Sequence, residues 1–149
     1  MILFVHLLFG AAIGSLVNNI PLAIILALLS HYFLDFLPHI EYSIANLREK
    51  QWDKKMPVIL KVAADFCLGI LLIFLFSKNQ PILYVYALVA ILPDGFTIIH
   101  GIMPNKLTKL HNEIHPKRVH FLKDKKISKF WRITSQAVAV AISIILLRF

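Results

Sequence analysis

The chain has one cysteine, Cys67, so it forms no intrachain disulfide and no cysteine-rich zinc finger. That residue lies within an apolar run and reads as a packing side chain. Acidic residues are also scarce: eight Asp and Glu stand against 16 Lys and Arg, for a formal net charge of +8. The excess does not point to nucleic acid. The basic residues gather in two segments, 40–56 and 104–132, lying between apolar blocks, and there they set orientation relative to a membrane. No Lys or Arg precedes the first apolar run, and a second run follows almost at once. The N-terminal stretch therefore reads as a retained helix, not a signal peptide. Repeats and low-complexity linkers are missing too, which leaves a single domain over 1–149.

Apolar residues are what the chain has in abundance: 58% of it is hydrophobic, where a soluble domain is usually about half at most. They fall in blocks at 2–17, 21–37, 57–77, 81–103 and 133–147. The expectation is an all-α membrane protein with about five transmembrane helices in a compact bundle. The positive-inside rule puts the N-terminus and the loops 40–56 and 104–132 in the cytoplasm. Pro21, Pro57 and Pro81 open their blocks, where a missing N–H is harmless. The first block is short for a span, so it is thin, tilted or buried by its neighbours. Its Gly10 and Gly14 have a spacing that permits close helix contact. Pro93-Asp94-Gly95 interrupts the fourth block. Lys123 to Arg132 mixes cations with Ile127, Phe130 and Trp131, as an interfacial helix on an anionic leaflet does.

Ionisable groups inside such blocks are costly, and each is by default a functional candidate. His31 and Asp35 lie one helical turn apart on one face. His39 follows one turn later, although Pro38 places it at a kink or just past the helix end. Threading the blocks up and down brings His6, His31, Asp35, Asp65 and Asp94 within roughly 3–14 Å of one membrane face. His39, His111 and His115 enter that layer from the loops. Imidazole and carboxylate without thiolate suit zinc, manganese or iron(II), and the donors suffice for one or two ions. A two-metal site suits phosphoester hydrolysis by a metal-activated water, with Asp35, Asp94 or Glu41 to orient that water or take its proton. Other readings stay open: Asp65 pairs with Lys61, Asp94 is a turn residue, and His111 and His115 belong to a solvated basic face. His100 and His120 read as solvated or interfacial.

The order of these residues also resembles a family. Phe4-Val5-His6-Leu7-Leu8-Phe9-Gly10 is followed by Ser-His-x3-Asp-x2-Pro-His-x-Glu-Tyr at 30–42. Then come Asp65, Leu92-Pro93-Asp94, His111-x3-His115 and a last helix with Gln136. This resembles the small multi-pass bacterial proteins grouped as predicted membrane-bound metal-dependent hydrolases. The His-x3-Asp element is similar to one in zinc-dependent phospholipases C. The resemblance implies a metal-dependent hydrolase of the bacterial inner membrane. Residue by residue it carries to His31 and Asp35, and then to His6, His39, Asp65, Asp94, His111 and His115; Glu41 stands where an Asp is common in that group.

A site at headgroup depth, beside a basic segment, points to membrane lipids with anionic headgroups as partners and to a phospholipid or isoprenoid phosphate as substrate. Two other classes are weighed against it. A metal-ion or proton transporter needs polar residues through the whole membrane thickness, which the apolar outer halves lack. A non-catalytic protein with a structural metal needs a closed coordination sphere.

Overall fold

The first apolar block becomes helix α1 (Leu3–Ser15), and the bundle is assembled around it in a computed structural model. The structure describes residues 1–40, 52–78, 80–103, 105–115 and 127–149. Among these, every regular element is helical: α2 (Ile20–Phe36), α3 (Trp52–Phe76), α4 (Pro81–Ala90), α5 (Leu92–Ile102), α6 (Lys106–Ile114) and α7 (Lys129–Arg148) follow α1. Glu41 and His120 lie outside the described residues.

A helix that is apolar all round is either buried in a core or spans a membrane. Helix α1 is buried over most of its length, packing against α2, α3, α4 and α7 at once. Leu3, Leu7, Leu8, Ala11 and Ala12 form one core with Ala23 and Ala27 of α2, Ile73 of α3, and Leu83, Tyr86 and Ala87 of α4. Val5 and Phe9 join Leu34 and Ala139 in a second, smaller cluster that ties in α2 and α7.

Small residues make this crowding possible. A Cβ on Gly10 would lie 2.3 Å from the Ala90 Cβ and 3.2 Å from the Tyr86 carbonyl oxygen; one on Gly14 would meet the Tyr86 ring at 2.1 Å. The Gly10/Gly14 spacing is thus used for close approach to α4. Gly95 has open space beside it. Alanine normally improves on glycine inside a helix by about 1 kcal/mol. Gly95→Ala is expected to follow that rule, whereas Gly10→Ala is expected to lose about 1–3 kcal/mol by overpacking. Thermal unfolding of both variants in detergent reads the two signs directly.

The expectation of five spans is corrected. Among the described residues, Lys55–Phe76 and Lys129–Arg148 are the helices long and apolar enough to cross a membrane, with a third if α4 and α5 count as one span bent by 45°. By length and composition, these two or three candidate spans suggest a membrane protein. The reason for the shortfall is length. Helix α1 has 13 residues and α2 has 17. At about 1.5 Å per residue they reach about 20 and 25 Å, short of a hydrocarbon core about 30 Å thick.

The fourth block breaks at Ile91, so Pro93 falls in the first turn of α5, where it removes no needed hydrogen bond. Of the expected interfacial helix at 123–132, residues 123–126 lie outside the described residues and Lys129–Arg132 form the first turn of α7, where Phe130 and Trp131 are strongly exposed. The amphipathic element between the spans is α6. It turns Thr108 inward and leaves Leu107 and Leu110 exposed.

Candidate metal centre

Histidine and aspartate four residues apart on α2 face the same way, and α2 points them into the bundle. His31 and Asp35 are both buried. His6 of α1 is buried beside them, its ring stacked on His31 with centroids 4.2 Å apart. Helix α2 stops at Phe36 because Pro38 disfavours helix at Leu37, whose backbone is extended. His39 therefore lies just past the helix end, and its ring turns back to Asp35.

Four imidazoles surround that one carboxylate. His31 Nε2 and His115 Nε2 stand 3.1 and 3.3 Å from Asp35 Oδ2. His6 Nε2 and His39 Nε2 stand 3.1 and 3.8 Å from Oδ1. The Met1 amine also donates to Oδ1.

A hairpin of α5 and α6 closes the site. Asp94, in the first turn of α5, places Oδ1 3.9 Å from His31 Nε2, and its side chain is 31% exposed. His115, at the end of α6, brings its Nε2 to 3.2 Å from that of His31. His111 stacks on His115 with centroids 4.9 Å apart. Burial, together with the neighbouring His115 and His31, holds the His111 pKa below its usual value, so the ring keeps a lone pair for coordination. The hairpin has internal fastenings. Asn105 and Thr108 form a reciprocal capping box at the start of α6, and Thr108 Oγ1 also meets His100 Nδ1 at 3.3 Å. His100 therefore braces the hairpin.

The donor set fits a divalent ion on two counts. First, His31 Nε2, His115 Nε2 and Asp35 Oδ2 form a triangle with edges of 3.1, 3.2 and 3.3 Å. A tetrahedral zinc with bonds near 2.0–2.1 Å holds its ligands about 3.3 Å apart. An imidazole nitrogen has one in-plane proton or lone pair, so it cannot aim a separate hydrogen bond at each of two partners. Secondly, buried ring nitrogens lack hydrogen bonds among the described residues: Nδ1 of His6, Nδ1 of His31 and Nε2 of His111. His111 meanwhile bonds the Pro93 carbonyl, and His39 Nδ1 donates to the Leu37 carbonyl at 2.6 Å. Metal-ligating histidines are commonly held in this way, with one ring nitrogen tied to a backbone carbonyl.

Among the described residues, two groups of three donors could each hold an ion, with all donor atoms within 4.8 Å of one another. One is His31, Asp35 and His115; the other is His6, His31 and Asp94. The structure thus brings together His6, His31, Asp35, Asp94 and His115, with His39 on Asp35 and His111 on His115. Neither group contains Asp65. Its Oδ2 accepts from the backbone N–H of Leu3 at 2.6 Å and of Phe4 at 3.3 Å, so it caps α1 from α3. Ile2, at the N-cap position, has no side chain able to do this. Tyr32, which reads in sequence as an interface anchor or a packing residue, packs its ring edge against both His31 and His115, with centroids 5.4 and 5.6 Å apart.

Comparison of the chain with protein-family models, with curated proteins and with solved structures returns no match.

Proposed function

We propose that this protein is an integral-membrane, metal-dependent hydrolase that cleaves a phosphoester of a phospholipid or an isoprenoid phosphate at the cytoplasmic face. The observation that carries the proposal is the buried triangle of His31, His115 and Asp35, joined through His31 to His6 and Asp94 in one layer of an apolar bundle. Zinc suits the donor set best, with manganese and iron(II) next. A divalent ion held there supplies a Lewis acid that makes water nucleophilic near neutral pH and steadies charge on phosphoryl oxygens.

The chain's own groups do the rest. Asp35 and the histidines around it hold the ion. Asp94 is more exposed than the other donors and lies on the side where solvent and a headgroup reach the centre, so it is placed to take a proton from the attacking water. Exposed Lys106 and Lys109 on α6, with Lys129 at the start of α7, draw anionic headgroups towards that side. The basic flanks set the N-terminus and these segments in the cytoplasm.

The test is elemental analysis of detergent-purified protein after gentle chelator washing, followed by a screen of phospholipids and isoprenoid phosphates. One or two tightly held zinc or manganese ions and release of phosphate or a phosphorylated headgroup are expected. Metal without turnover would favour a structural site. Folded, never-stripped protein without metal would refute the proposal.

A further inference from the structure

Helix α7 supplies no donor to the centre, yet two adjacent side chains on it grip the backbone on either side of one. Ser135 Oγ donates to the Pro38 carbonyl. Gln136 Nε2 donates to the Ile40 carbonyl at 2.6 Å. Between these carbonyls sits His39, which is 7% exposed. The segment has left α2, so no i→i−4 ladder fixes its direction. What fixes the ring is local on one side and remote on the other. His39 Nδ1 donates to Leu37 O, and the two α7 side chains hold the peptides that flank it.

Packing does not account for this pair. Helix α7 is already anchored by Ala139 and Val140 in the smaller apolar cluster and by Leu147 in the main core. Gln136 is buried, and a buried carboxamide costs stability unless it is hydrogen-bonded; an apolar side chain there would pack without that cost. The hydrogen bond that it makes is spent on the one stretch of irregular backbone carrying a histidine to Asp35.

We propose that Ser135 and Gln136 are positioning residues. They form a bracket that holds the 38–40 segment so that His39 Nε2, 3.8 Å from Asp35 Oδ1, joins the metal centre. The inference rests on the metal-centre reading above and adds His39 to its ligands, with α7 as the element that aims it. Outer partners of this kind typically change metal affinity by about 10–100-fold.

The experiment is a mutant cycle read by zinc affinity, in chelator competition, and by the ligand-field spectrum of the cobalt(II) protein. Gln136→Met with Ser135→Ala is expected to weaken zinc about 10–100-fold and to shift the cobalt spectrum as loss of one nitrogen donor does. His39→Ala is expected to do at least as much. Combining it with the bracket substitutions should add nothing further, because both act through the same ring. Ser135→Ala alone, a milder change, should move affinity the same way by a smaller factor. Val138→Ala, at an exposed position on the same helix, should leave affinity unchanged. Circular dichroism and melting of the metal-free variants establish that they are folded. Two results would overturn the bracket: wild-type affinity and spectrum in the Ser135/Gln136 variant, or a loss that adds in full to that of His39→Ala. Wild-type protein that takes up no zinc would overturn the metal centre itself, and is distinguishable from either.

Discussion

If the proposed metal centre and phosphoesterase activity hold, Asp35→Asn is expected to lose both. The substitution keeps the shape of the side chain and removes its charge. In the native site, His31 and His115 face one carboxylate oxygen and His6 and His39 the other. A neutral amide offers one weak oxygen donor in place of two charged ones. The loss should therefore exceed the roughly 10–100-fold seen when only an outer partner is removed. The fold should survive, because the amide can accept from one imidazole and donate to another. Metal content per chain and turnover are the two readouts, and both should fall together. Cys67→Ala removes an exposed thiol and should change neither. Full metal content in Asp35→Asn would take Asp35 out of the coordination sphere.

The core of this site was legible because it is local. His31 and Asp35 share a face of one helix, and any helix through Ser30–Phe36 brings them together. His6 and Asp94 reach it through the packing of α1 and of the α5–α6 hairpin, whereas the up-and-down threading that anticipated them assumed five spans, more than the two or three observed. Residues whose role depends on a neighbour's deficiency were not legible. Asp65 reads in sequence as a ligand or as a partner for Lys61. Its observed bonds are to Leu3 and Phe4 because α1 begins at Leu3, behind an N-cap residue, Ile2, whose side chain cannot cap it. Gln136 stood out only as part of a resemblance, since its partner is a backbone carbonyl 96 positions away. The number of spans was overcounted because each apolar block was counted as a span, whereas the helices formed from the first two are 13 and 17 residues long; α1, in addition, packs against four other helices.

Removing the metal should loosen the α5–α6 hairpin while leaving the rest of the bundle intact. The two helices pack mainly on each other. Among the described residues, the other extended contact of the pair is that of α5 with α4, across the break at Ile91, and α6 has none on any other helix. Among the described residues, the hairpin meets α2 at the site: His115 at His31 and Asp35, Asp94 at His31, and the Tyr32 edge against His115. An ion bound by His31, Asp35 and His115 ties two helices together, and opening the hairpin must release it. Binding confined to the closed form stabilises it by RT ln(1 + [L]/Kd), about 4 kcal/mol at a thousandfold excess over Kd. Hydrogen exchange of α6 amides should then be slower in the zinc-loaded protein by up to about a thousandfold, with α1 amides unaffected because their burial does not depend on the hairpin. His115→Ala should erase the zinc-dependent difference in α6. Equal slowing of α1 and α6 would mean that the metal stabilises the bundle as a whole. No slowing in α6 would mean that the hairpin is fastened by something other than the ion.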